Sequence, residues 1–441
     1  MNGKKSVLSI LMIGLAVLLA GCGSSAPPSN TPPPTGLKKR VLVSNQQPVA
    51  STGVVNIVDA QKDVLAAKAI SASAPTKIVT AGGQTAILDS NVAQVSIFDN
   101  TQETVTFAPQ LADIATDIVI TPDGKTVWVA ERNNGFVQAV DTATGIVTVS
   151  VPVPSVRRLV LSPNGSQLLA FSDNPQGLPG PNPQNPDAFK DAFFLIDTAT
   201  AITTHQATPV RLSTGSVATG DQPFSAVFNN SETQAFILNC GSGCGGSNAG
   251  TPTQPSVQFV DFTNPAAPAL GARTAVPAAT TGLLNNGNLY IAGTTSPRAA
   301  VSPATGFLQV VSAASLTLAG PPVQITDGLH TFMVLTPTNR LYIGSQQCTP
   351  GPVQADNTRA GCLTIANITS PTAPTVTVPV ESSFRQDFDV TAVQPISGRN
   401  VAYVVQGGEL DFFDLSTDAV STTITPIDIV GKAVGVVQID P

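Results

Sequence analysis

Charge is scarce in this chain: 11% of its 441 residues are Asp, Glu, Lys or Arg. Helical bundles carry exposed faces rich in Glu, Lys and Leu, so the composition argues against one. Aromatic residues are few, with one Trp and three Tyr, which weakens a sugar-stacking platform. Histidine occurs twice, as His205 and His330. No basic stripe is present and the net charge is −7, so nucleic-acid binding is not expected. Gly-x-Ser-x-Gly, His-Glu-x-x-His, Cys-x-x-Cys-His and phosphate-binding loops are all missing, and with them any recognisable catalytic constellation. No metal or cofactor is expected. The longest apolar run, Val7 to Ala20, falls short of the ~20 residues of a comfortable bilayer span.

That run has the length of an export-signal core, and Lys4 and Lys5 precede it. It ends Leu19-Ala20-Gly21-Cys22, which resembles the bacterial lipobox. The resemblance implies a signal peptide over 1–21, lipidation of Cys22 and a membrane anchor through its acyl chains. Gly23 rather than Asp follows Cys22, which by the Gram-negative sorting rule implies the outer membrane. Residues 22–39 then form a tether: Gly23 to Gly36, GSSAPPSNTPPPTG, has no apolar periodicity and reads as disordered. The other four cysteines, Cys240, Cys244, Cys348 and Cys362, suit disulfides in an oxidising compartment. Of three possible connectivities, closeness in sequence favours Cys240–Cys244 and Cys348–Cys362. No His lies near either pair, against a metal site.

What is abundant is glycine and proline, 36 and 37 residues. They punctuate short apolar runs, the pattern of an all-β protein with many turns. Residues 116–153 parse as four strands: Ile118–Thr121, Thr126–Ala130, Phe136–Asp141 and Ile146–Val153. Four antiparallel strands in about 40 residues is one blade of a β-propeller. A short polar residue ends the third strand of each such unit: Asp59, Asp99, Asp141, Asp197, Asp261, Ser312, Asn367 and Asp414. Each can bond its own backbone in a turn. They mark eight blades over 40–441, with seven as the alternative. The first unit lacks an inner strand. The terminal run Ala433–Ile439 would complete it and close the ring, hiding the open edges.

Segment 116–153 closely resembles the YVTN-type propeller repeat of bacterial surface and surface-layer proteins. The matching residues are Pro122-Asp123-Gly124-Lys125, Trp128-Val129-Ala130 and Val140-Asp141-Thr142-Ala143-Thr144-Gly145. A second match is Leu161-Ser162-Pro163-Asn164-Gly165 with Ile196-Asp197-Thr198-Ala199-Thr200. Later units keep fragments such as Leu289-Tyr290-Ile291 and Leu341-Tyr342-Ile343. The resemblance implies the fold and leaves the function open, since propellers host many activities.

In a propeller, the loop after the second strand and the connection between blades share one face. Long insertions fall in that loop in blades 4 to 7: Asp173–Asp191, Cys240–Pro255, Thr294–Gly306 and Ser345–Gly361. Both expected disulfides lie in them. The connections between blades bring polar residues to the mouth of the central channel. Lys77, Asp117, Arg157 and Arg158 lie on one arc. Arg385, Asp387 and Asp389 lie on the opposite arc, and His330 and Lys432 complete the set. Such residues suit a polar or anionic ligand, or pair with one another. His205 falls in an outer-edge strand and His330 near the mouth, with no Ser or Cys partner. The leading expectation is a non-enzymatic envelope module that binds a protein or envelope polymer. Two alternatives rest on resemblance: a lactonase-like hydrolase with carboxylates at the mouth, and a haem d1-like propeller with His330 as ligand.

Overall fold

The computed structural model describes residues 32–46, 53–172, 192–212, 222–244, 247–248, 251–295, 305–346, 348, 361–380, 390–406, 408–429 and 431–440. Thr35–Pro441 form one compact unit. Among the described residues its strands group into eight four-stranded antiparallel sheets and one two-stranded ribbon, Ser247–Asn248 with Thr251–Pro252. Seven run inward to outward in chain order, such as 117–120, 126–131, 136–141 and 146–152 in blade 3. Blade 1 differs. Its second, third and outer strands are Arg40–Gln46, Gly53–Asp59 and Val64–Ala72, and its inner strand is Lys432–Gln438 from the far end of the chain. The inner strands of neighbouring blades touch all the way round, and Lys432–Gln438 contacts those of both blade 8 and blade 2. The ring is an eight-bladed β-propeller closed by the terminal strand.

Local chemistry explains why the chain turns where it does. All eight marker residues end the third strand of their blades. Seven accept a backbone N–H two or three residues on, at 2.7–3.0 Å: Gln61 to Asp59, Thr101 to Asp99, Thr144 to Asp141, Thr200 to Asp197, Thr263 to Asp261, Thr369 to Asn367 and Ser416 to Asp414. Each carboxylate is occupied by its own turn, as an Asx turn requires. Gly124 supplies a different need. Its φ is +73°, and a Cβ there would lie 2.6 Å from the carbonyl oxygen of Ala81 in blade 2. Only glycine allows that turn to rest on the next blade.

Packing follows the same repeat. Eight clusters of buried apolar residues occur, one at each seam between neighbouring blades. Trp128, 1% exposed, fills the seam of blades 3 and 4 with Val149, Leu168 and Ile196. This is the energetics of a repeat protein, with nearest-neighbour interfaces in place of one large core. The closing seam has polar fastenings as well. Arg399 of blade 8 forms a bidentate pair with Asp63 of blade 1, and the Tyr403 hydroxyl donates to the same carboxylate. Within blade 1, Arg40 donates to Asp440 at 2.7 Å and so holds the terminal strand, and it reaches Glu103 of blade 2 at 2.9 Å.

Both disulfides form as their spacing suggests, with Cα separations of 5.6 Å for Cys240–Cys244 and 5.9 Å for Cys348–Cys362. The four long insertions do lie between second and third strands, as strand ends at Ser172, Asn239, Thr294 and Gln346 show. One local reading is corrected. His205 is not in an outer strand. It caps the C-terminus of a short helix, Thr198–Thr204, with φ 52°. The cause is Asp197, whose side chain accepts from Thr200 N–H and starts a helical turn before the outer strand Thr208–Arg211.

Candidate functional site

A cavity of about 560 Å³ opens at the axis, on the face that carries the insertions. Its lining comes from the beginnings of inner strands: Thr76 and Lys77, Asp117, Arg157 and Arg158, Phe224, Thr331 and Phe332. The backbone explains why these side chains reach it. Four inner strands shift register against their second strands just after they begin. The shifts lie between Pro75 and Lys77, Val156 and Arg158, Pro223 and Ser225, and His330 and Phe332. The residues that the register skips are Thr76, Arg157, Phe224 and Thr331, and all four line the cavity. A bulge re-aims a side chain out of the sheet's alternation. Here the same bulge is used in four blades to furnish one site.

Four of the sequence candidates therefore meet. Asp117 is nearly buried and heavily engaged. It takes an ion pair from Lys77, and accepts the backbone N–H of Leu159 at 2.8 Å and of Ile118 at 2.9 Å. Arg158 reaches across the axis from blade 4. Its Nη2 donates to the Thr331 carbonyl at 2.8 Å and its Nη1 to the Thr280 carbonyl at 3.4 Å. Both Arg158 and Arg157 lie over the Phe224 ring, at 5.2 and 5.6 Å from its centroid, within cation–π range. Burial holds the Arg158 guanidinium below its ordinary pKa, Asp117 pulls it upward, and Arg157 lowers it further. The described lining thus holds three cations and one carboxylate in a protein of net charge −7.

The remaining candidates do not join them. Arg385, Asp387 and Asp389 lie outside the described residues. Lys432 begins the closing strand opposite Gln46 and does not line the cavity. His330 is corrected: its side chain is 0% exposed, while Leu329 and Thr331 on either side line the cavity. Its Nδ1 lies 3.3 Å from Thr294 Oγ1. A ring closed into the seam of blades 6 and 7 offers no ligand position to a haem in the channel. Burial pushes its pKa down to about 4, against the opposing pulls of the Thr326 backbone and the Asp327 charge. The unfolded chain, near 6.5, then binds the proton more readily, so His330 costs stability as pH falls from about 6.5 towards 4. Between pH 7 and pH 5 the expected loss is about 2 kcal/mol. Urea denaturation should show that difference between wild type and His330→Leu; parallel pH profiles for the two would refute it.

Sequence reasoning missed Phe224, the platform under both arginines. Charged and polar types mark a channel mouth in the sequence, and Phe224 is neither. Its place in the repeat was the available signal, since it begins an inner strand as Arg157 does.

No protein-family model matches the chain, and no curated protein does either. Solved structures do match. Their common fold is the β-propeller. Dihydro-heme d1 dehydrogenase NirN, in complex with DHE, is 12% identical with a TM-score of 0.63, over 93% of this chain and 77% of that one. The periplasmic gluconolactonase PpgL of Pseudomonas aeruginosa is 14% identical, TM-score 0.53, over 91% and 98%. Apo AztD from Citrobacter koseri is 12% identical, TM-score 0.52, over 91% and 97%. At such identities the likeness shows the fold alone.

Proposed function

We propose that this protein is a lipid-anchored binding module of the bacterial cell envelope, whose insertion-bearing face captures a protein or envelope polymer without turning it over. The observation that carries this reading is the character of the cavity. Cations dominate its described lining, and its one described carboxylate, Asp117, is already held by Lys77 and two backbone N–H groups. An acid or base in that state is poorly placed to move a proton. Among the described residues, no histidine lines the cavity. These features count against the lactonase-like and haem d1-like alternatives, which rest on PpgL and NirN as distant likenesses. The anchor rests on Leu19-Ala20-Gly21-Cys22, and the outer-membrane assignment on Gly23. The disulfides suit an oxidising envelope compartment. The YVTN-type repeat of surface proteins is in keeping with such a role.

Photocrosslinking in living cells tests the reading. A crosslinking amino acid at Thr76 or Thr391, both on the cavity, is expected to trap the partner. The same group at Ser416, in a third-to-fourth-strand turn of blade 8 at the opposite end of the strands, is expected to trap none. Equal adducts from both faces, or turnover of a lactone by the purified protein, would sink it.

A further inference from the structure

We infer that the cavity contains an oxyanion site, centred on Arg158, for a small organic acid or the acidic group of a larger partner. This rests on the reading of the cavity as a binding site and names what it binds.

Charge accounting comes first. Lys77 and Asp117 neutralise one another. Arg158 remains, over the phenyl ring that it shares with Arg157. Among the described residues, no carboxylate lies within ion-pair distance of Arg158. Its hydrogen bonds there go to two neutral carbonyl oxygens. A guanidinium has five N–H donors in a planar fork, so two carbonyls leave most of its donor capacity for a ligand. A desolvated cation with neutral partners is costly to hold in a fold. It persists where an anion offsets that cost, and the fork geometry matches carboxylate and phosphate oxygens in pairs.

The shape of the site supports a small molecule or a single group. Arg158 reaches from blade 4 to carbonyls of blades 6 and 7, so its guanidinium lies inside the ring of inner strands. A ligand entering from the insertion face meets the guanidinium in the wall of the cavity. The walls above are mixed. Leu88, Phe171, Leu329 and Phe332 offer apolar surface. A volume of about 560 Å³ lies within the ~300–1,000 Å³ usual for small-ligand pockets. The best fit is an acidic head on a partly apolar body.

Titration calorimetry on the purified full-length protein tests this with three probes that share one ring: benzoate, phenyl phosphate and benzamide. At least one of the two anions is expected to bind at least about tenfold more tightly than the neutral amide, a difference of about 1.4 kcal/mol. Tighter benzoate assigns a carboxylate, and tighter phenyl phosphate a phosphate ester. Arg158→Gln should lose that preference. Because Arg158 also braces the channel, Arg157→Gln is the second variant, at an exposed side chain. It should weaken anion binding severalfold, and its melting temperature, measured alongside, separates loss of charge from loss of fold. Benzamide binding as tightly as both anions, no anion binding, or an anion preference untouched in both variants would overturn the site. The first of these results would leave the binding-module reading intact. Hydrolysis of phenyl phosphate would do the reverse, removing the non-enzymatic reading while the anion site stands.

Discussion

Deleting residues 431–441 is expected to abolish the cooperative fold. The deletion removes the inner strand of blade 1, which pairs with Val41–Gln46 along its length. Ala433 and Val436 leave the seam with blade 8, and Val437 leaves the seam with blade 2. Asp440 leaves Arg40. Loss of two seams and an ion pair exceeds about 5 kcal/mol, a size comparable to the whole stability of many domains. The exposed strand edge also invites association. Circular dichroism and size-exclusion chromatography would show a broad melt and aggregates. A soluble monomer with the wild-type melting temperature would contradict closure by this strand. A circular permutant isolates the cause. Residues 431–440 joined through a short flexible linker ahead of Thr35 supply the same strand, since Ile439 N–H already bonds the Arg40 carbonyl. That permutant should melt within a few degrees of wild type.

Glu103→Ala is expected to cost about 3 kcal/mol, the range for breaking a buried ion pair. The Glu103 carboxylate is 0% exposed and faces Arg40 at 2.9 Å and Lys68 at 3.7 Å. It also accepts from the Thr35 backbone at 2.7 Å and from the Thr35 hydroxyl. Removing it leaves the Arg40 guanidinium, 12% exposed, with a partner fewer. Lys125→Ala makes the contrast. The Lys125–Asp123 pair is 80% and 54% exposed, and such pairs contribute at most about 1 kcal/mol. Chemical denaturation of the two variants should separate them clearly; equal effects would mean that Glu103 does not fasten the ring. Burial alone would raise the Glu103 pKa, but hydrogen bonds from Thr35 and Arg40 outweigh it and hold the group below its ordinary value. Its contribution is then present above the unfolded value near 4.3 and lost as pH falls through the folded one.

The fold was legible because its determinants are local and repeated. Asp141 and six of its seven counterparts end strands through bonds spanning two or three residues, and a turn of that kind is written in the residue itself. Closure was legible for a different reason: blade 1 lacked a strand and the chain ended on one to spare. Ala433–Ile439 as read and Lys432–Gln438 as found differ by one residue. The site was harder. Lys77, Asp117, Arg157 and Arg158 were found by charge and position, and they do converge. His330 has a similar position but the wrong side of its strand. The bulge between His330 and Phe332 turns Thr331 to the cavity and leaves His330 in the seam. A one-residue shift in a strand exchanges its faces, and sequence patterns do not resolve single-residue bulges. His205 failed for a comparable reason, because Asp197 makes a helix cap where its counterparts make turns.

The most direct test is a crystal structure of the protein grown with whichever of benzoate and phenyl phosphate binds more tightly. The anionic group is expected on the open edge of the Arg158 guanidinium, above Phe224, with the Lys77–Asp117 pair intact and eight blades closed by Lys432–Gln438. That anion bound elsewhere, with Arg158 swung clear of Thr280 and Thr331, would contradict the site.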